Sequence, residues 1–143
     1  MPLMHSHTLD SNNRGAIAQA LAGDDWIVAC LCAAWCGTCG CYRAVFDAMA
    51  ARPPDTQFIW IDIEDQAAVV GDLDVDNFPT LLMQKRDVVA FFGTLLPEAA
   101  VAERLLQAQV DLPQAELDRQ AQASAERRQW QETCNLRVLL SNA

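Results

Sequence analysis

Apolar residues recur along this chain with two different periods, and the switches between them lay out the elements. Ala16, Ile17, Ala20 and Leu21 are spaced as one helix face. Asn12 or Asn13 can cap that helix, and Gly23-Asp24-Asp25 stops it. Trp26 to Cys32 is an unbroken apolar run, the pattern of a strand buried on both faces. Tyr42, Val45, Phe46 and Met49 return to helical spacing, in a helix that runs to about Ala51 and is ended by Arg52-Pro53-Pro54-Asp55. Gln57 to Ile63, with Phe58-Ile59-Trp60-Ile61 at its centre, reads as a second strand.

Glu64 to Gly71 reads as a short helix around Ala67, Val69 and Val70, followed by a loop from Asp72 to Asn77. Phe78-Pro79-Thr80 opens a third strand, Leu81 to Gln84, and Lys85-Arg86-Asp87 turns it into Val88 to Phe92, with Gly93 marking a turn or bulge. Pro97 suits a helix start, and Ala100, Val101, Leu105 and Leu106 form that helix's apolar face. The predicted order is α-β-α-β-α-β-β-α, an α/β layout with a hairpin as its second half.

Beyond Asp111-Leu112-Pro113 the character changes. Gln114 to about Leu140 is rich in Ala, Gln, Glu and Arg with no Gly or Pro, which predicts a helix. Its apolar stripe is sparse (Leu117, Ala121, Ala125, Trp130, Cys134, Val138), as expected of a surface helix that lies on its own domain or forms a homodimer contact. The chain thus divides into a flexible N-terminus at 1–11, a domain at 12–110 and a C-terminal helical extension at 111–143.

The 143 residues suffice for one domain with a real core. A net charge of −9 and a single lysine, Lys85, argue against a nucleic-acid or anionic-membrane partner, where basic patches supply the binding energy. No apolar run reaches the 18 residues or so of a membrane span. The polar N-terminus, with His5 and His7, lacks the features of a secretory signal, so a cytoplasmic location is expected. The acids at Asp72, Asp74 and Asp76 invite a calcium-loop reading, but the central glycine and terminal glutamate of such a loop are missing. Asp62, Glu64 and Asp65 read as solvated loop charges.

Five of the six cysteines (Cys30, Cys32, Cys36, Cys39, Cys41) fall within twelve residues, which suits local redox or metal chemistry better than a disulfide framework. Cys36 and Cys39 lie three apart where the strand gives way to the helix, close enough to bridge. Cys36 sits where free backbone N–H groups and the helix dipole favour a thiolate, the species that attacks disulfides.

Trp35-Cys36-Gly37-Thr38-Cys39 after a buried strand, with Phe78-Pro79-Thr80 opening a hairpin forty residues later, resembles the thioredoxin family from about Asn13 to Ala108. The resemblance implies a three-layer α/β/α fold with a central mixed sheet, here with an extra C-terminal helix. It implies a thiol–disulfide oxidoreductase acting in electron transport and cell redox homeostasis. Cys36 would be the attacking thiolate and Cys39 the resolving one, with Gly37 and Thr38 as the active-site loop between them. Their redox-active disulfide would stand in place of a cofactor or metal. Pro79 would be the family's cis-proline, leaving the Phe78 backbone free to pair with an extended substrate, and Trp35 would flank the sulfurs. The implied partners are protein disulfides and a thioredoxin-reductase-like or glutathione-linked reductant. Phe91 and Phe92 are further candidates for the apolar docking rim, or for the core.

Three positions depart from the family pattern. Thr38 replaces its usual proline, a position that tunes the couple within the family's span of roughly −270 to −120 mV, so a more oxidising pair is expected. The buried acid six residues before the first cysteine is Cys30, and its partner lysine aligns with Trp60, so the proton relay to the resolving thiol is lost. Cys30 and Cys32, on one face of the strand, read as small buried hydrophobes, Cys41 as a partly exposed second thiol and Cys134 as a packing residue. Two alternatives follow: a binding or scaffold module with little catalysis, and a metal site on Cys32, Cys36, Cys39 and Cys41, from which Cys32 and Cys41 are expected to splay away.

Overall fold

The computed structural model describes residues 6–51, 56–73 and 75–142. In chain order the strands are β1 (Ser6–Thr8), β2 (Trp26–Cys32), β3 (Thr56–Asp62), β4 (Thr80–Lys85) and β5 (Val88–Thr94). The helices are α1 (Arg14–Ala20), α2 (Gly37–Ala50), α3 (Ala67–Val70), α4 (Ala99–Val110), α5 (Gln114–Ala121), α6 (Ala125–Thr133) and α7 (Leu136–Ser141).

The continuous apolar run of β2 is explained by its place. All seven of its residues are buried, and it pairs with β3 in parallel on one side and with β4 antiparallel on the other. The sheet is mixed, in the order β1-β3-β2-β4-β5. Side chains alternate across it, as the two-residue strand period requires. Ile27, Ala29 and Leu31 face a core shared with Ile17 of α1, Val69 and Val70 of α3, and Leu136 and Leu140 of α7. Val28, Cys30 and Cys32 face the opposite core, with Tyr42, Phe46 and Met49 of α2 and Ala102 of α4. Three layers result, as the family resemblance implies.

The N-terminus is more ordered than its polar composition suggests. Ser6–Thr8 adds an edge strand to β3, and the Leu9 N–H donates to the Trp60 carbonyl at 2.9 Å, so the expectation of a loose segment through Ser11 fails there. A three-residue strand with polar side chains carries too little periodicity to be seen from sequence. The predicted stop at Arg52-Pro53-Pro54-Asp55 lies outside the described residues, as do His5 and Asp74. Gly93 stays within β5 opposite Leu81, and a Cβ there would come 3.1 Å from the Phe91 ring. The irregularity lies further along the pair, between Met83 and Gln84, where Ala90 is the extra residue of β5.

The C-terminal extension is three helices, not one. Ser124 caps α6 by accepting from the Arg127 N–H at 3.1 Å, and Asn135 caps α7 by accepting from the Val138 N–H at 3.4 Å. Each side chain offers the backbone a local alternative to continuing the helix. The sparse stripe serves the chain's own domain. Leu117 packs with Trp26 and Ala90, while Cys134, Leu136 and Leu140 enter the core beside α1. Leu117, Ala121 and Cys134 of that stripe are thus buried on the chain's own domain, while Val138 stays exposed.

Two amides fasten this tail. Gln131 accepts from the Val89 N–H at 2.8 Å and donates to its carbonyl at 2.7 Å, closing part of the β5 edge. Gln84, fully buried, accepts from the Leu136 N–H at 2.9 Å and donates to Asn135 Oδ1 at 2.7 Å. Gln84→Ala leaves those groups unpaired in the interior and should lower stability by about 1–3 kcal/mol. A denaturant midpoint equal to that of the wild type would show that the extension docks by apolar contact alone.

Candidate active site

The motif occupies the turn from β2 into α2. Cys36 is the N-cap of α2, in an extended conformation, with its N–H donating to the Ala33 carbonyl and its carbonyl accepting from Gly40. Its side chain lies half-buried at the helix's positive end, the setting the spacing predicts for a nucleophile. Gly37 and Thr38 form the exposed start of the first turn, and Cys39, one turn on, is buried against the sheet.

Antiparallel pairing of β2 with β4 sets Leu31 opposite Thr80 and so brings the Phe78-Pro79 segment alongside the motif. The Phe78–Pro79 peptide is cis. The Trp35 and Phe78 rings meet edge to face with centroids 5.6 Å apart. Trp35 is 70 % exposed, an unusual cost for a large apolar ring, and its indole N–H donates to the Glu64 carboxylate. Glu64, read from sequence as a solvated charge, thus holds the tryptophan beside Cys36.

The sulfurs are joined differently from the pairing the resemblance implies. Cys39 is bonded to Cys32, with Cα atoms 5.8 Å apart, and Cys36 keeps a free thiol. The physical reason lies in the strand's alternation. Cys32 is the last residue of β2 on the face that α2 covers, and Cys39 points down from the first helical turn onto that face. The expected splaying of Cys32 away from the pair is therefore corrected. Cys41 does turn away and is exposed. Among the described residues no group of three or more His, Cys, Asp or Glu converges to hold a metal ion. His7 Nε2 lies 3.1 Å from Gln57 Oε1 on the far edge of the sheet.

Where the family carries its buried acid, Cys30 lies 3.7 Å from Cys32, sulfur to sulfur. Burial pushes the Cys30 thiol well above the ordinary range, against a weaker downward pull from Arg43. Tyr42, whose buried hydroxyl has no hydrogen-bond partner among the described residues, is pushed up first by burial and then by Cys30 and Glu103. A cation does return to this region from another element. The Arg43 guanidinium of α2 lies 4.8 Å from the centre of the Trp60 ring, the residue in the lysine's place. Arg43 and Trp60 line a cavity of about 150 Å³ that also borders Cys39 and Asp62. Neither Arg43 nor Asp62 carried a signal in the sequence beyond being charged.

Of the two readings for Phe91 and Phe92, their packing favours the core. Phe91 packs into the α2-side core and against Trp130, with ring centroids 6.0 Å apart, and Phe92 packs on the other side.

The site thus joins a buried disulfide at a strand-to-helix turn with a half-exposed thiol at the helix start, beside a cis X-Pro peptide. The chain belongs to the thioredoxin family, whose model, described as Thioredoxin, matches residues 7–108. Among curated relatives, a thioredoxin of Ophiophagus hannah is 36% identical over 66 residues, covering 46% of this chain and 63% of its own length. A Streptomyces coelicolor protein provisionally named thioredoxin 2 is 28% identical over 110 residues, covering 73% of this chain and 82% of its own. The fold matches a Halobacterium salinarum thioredoxin variant with a TM-score of 0.65 at 18% identity, over 79% of this chain and 98% of that one. A thioredoxin f2 seen in complex with ferredoxin:thioredoxin reductase matches with a TM-score of 0.57 at 24% identity, over 73% and 92%.

Two outcomes follow for the buried thiols. In native protein a thiol reagent should label Cys36 and Cys41, while Cys30 and Cys134 react only after unfolding; rapid native labelling of Cys30 would contradict its burial. Because the folded state holds the Cys30 proton more tightly than the unfolded chain does, its contribution is full below the ordinary thiol range and is lost as pH rises through it. Stability should therefore fall above about pH 8.5, by up to about 1.4 kcal/mol per pH unit from this group. Cys30→Ala should flatten that slope between pH ~8.5 and ~10, as read from denaturant midpoints.

Proposed function

We propose that the chain reduces or exchanges disulfides of protein partners, with Cys36 as the nucleophile and Cys39 as the resolving thiol. The observation that carries this reading is the placement of Cys36. It is the half-exposed thiol at the start of α2, beside the Trp35–Phe78 pair and one turn from buried Cys39. The Cys36 thiolate attacks one sulfur of a partner disulfide and expels the other as a thiolate, leaving a mixed disulfide. Cys39 then attacks Cys36 and releases the partner's second thiolate, so two electrons pass from the dithiol to the partner.

Trp35 and Phe78 supply an apolar contact for the chain around the partner's disulfide. Pro79 is assigned to the same substrate-binding edge. The cavity beside Cys39 is large enough for water, and with Arg43 and Asp62 on its wall it offers the resolving thiol a proton outlet in place of the missing acid. Recycling is assigned to a disulfide reductase or to glutathione. A reducing compartment such as the cytoplasm is the proposed setting; no helix among the described residues is long and apolar enough to cross a membrane.

One observation favours a second reading. With Cys39 held by Cys32, Cys36 has no resolving partner, as in a module that binds covalently but turns over slowly. Wild-type insulin turnover separates the two, since a slow covalent binder would itself accumulate mixed disulfides. Cys36→Ser should abolish insulin reduction, and Cys39→Ser should accumulate mixed disulfides at Cys36; wild-type turnover by Cys36→Ser would sink the primary reading. Trp35→Ala, at a surface position, should leave the unfolding midpoint unchanged. It should lower kcat/KM for a protein disulfide by about tenfold, the effect of losing roughly 1.4 kcal/mol of contact. An unchanged kcat/KM would remove Trp35 from the docking surface.

A further inference from the structure

We propose that Cys32 is a third redox-active cysteine of this site, which takes Cys39 over from Cys36 and returns Cys36 to the free thiol. The proposal deepens the reading above and rests on Cys36 being the nucleophile.

Three observations place Cys32 in the exchange. It ends β2 on the face under α2, and its Cα lies 5.8 Å from that of Cys39, within the usual 4.4–6.8 Å span for a bridge. Cys36 and Cys39 lie one helical turn apart, so Cys39 stands between two possible partners, one outward and one inward. The inner pair is sealed, with Cys32 1% and Cys39 2% exposed, whereas Cys36 stays accessible. Cys30, 3.7 Å from Cys32, completes the setting. Burial keeps it a thiol, so it can donate S–H to the Cys32 sulfur without competing as a nucleophile.

The sequence of bonds balances. After Cys39 has resolved the partner, a Cys36–Cys39 bridge remains. The Cys32 thiolate attacks the Cys39 sulfur, a Cys32–Cys39 bond forms, the Cys36–Cys39 bond breaks and Cys36 leaves as thiolate. One disulfide replaces another, no electrons enter or leave, and the proton lost by Cys32 is matched by the one Cys36 can take up. The reverse attack by Cys36 on Cys39 reopens the outer bridge, which a thiol reductant then reduces at Cys36. While the inner bridge holds, the oxidised chain still presents a nucleophile. A disulfide met by Cys36 in that state gives a mixed disulfide that Cys39 cannot resolve, so the oxidised chain holds its partner covalently.

Disulfide mapping of the full chain tests this. The reduced protein is oxidised with oxidised glutathione, quenched in acid, alkylated and digested. The expected main bridge is Cys32–Cys39, with Cys36 alkylated or carrying glutathione; Cys36–Cys39 as the main bridge, with Cys32 a free thiol, would overturn the proposal. In oxidised Cys32→Ala, native alkylation of Cys36 should fall at least tenfold relative to oxidised wild type, and equal labelling would also overturn it. The wild-type map stands even if that variant folds poorly. Failure of the underlying reading looks different: Cys39→Ser would then trap no partner at Cys36, whichever bridge the map shows.

Discussion

Central pairing of β2 is the constraint on which the rest of the molecule depends. A strand hydrogen-bonded on both edges and covered on both faces has to be apolar throughout, and Trp26–Cys32 is. Its alternation then assigns every neighbour a side. Odd positions receive α1, α3 and the distant α7, and even positions receive α2 and α4. Because the strand ends at an even position, its last side chain lies directly under the first turn of α2, where the active-site motif begins. The sulfur chemistry is thus set by the parity of a strand seven residues long.

The same parity explains how the site manages without its family's buried acid. That acid would occupy the position of Cys30, deep on the α2 face. A thiol kept protonated by its surroundings cannot relay protons at neutral pH, and Trp60 removes the accompanying cation. Arg43 restores positive charge from the helix side, stacked on the tryptophan at the edge of a cavity that reaches Cys39. The interior has exchanged an ionisable pair for a thiol and an indole and has moved its charges to the rim. Taking ionised groups out of water costs several kcal/mol apiece, on the order of the whole margin of stability, so the exchange relieves the core of a burden.

Much of the fold was legible in the sequence because long apolar periods decide it. The four longer strands and the helices α1, α2 and α4 fall within a few residues of where spacing puts them. Ser6–Thr8 was not legible, since three polar residues on a sheet edge have no period to show. The tail reads as one helix when propensity is summed, yet Ser124 and Asn135 each stop it with a single side-chain hydrogen bond. At the site, the spacing of Cys36 and Cys39 and their distance from Pro79 carried most of the information. In the sequence Cys32 reads as packing, and only the inward direction of Cys39 in the folded chain brings the two together. Glu64 and Arg43 act through contacts with Trp35 and Trp60 that only the folded chain creates.

The central claim is that the clustered thiols form one reversible two-electron couple. It is tested most directly by equilibrating the full chain with mixtures of reduced and oxidised glutathione and following tryptophan fluorescence together with thiol content. The account predicts a single reversible transition of two-electron slope, with a midpoint within the roughly −270 to −120 mV spanned by dithiol oxidoreductases of this kind. A chain whose thiols stay reduced, or stay bridged, across the whole series would contradict it.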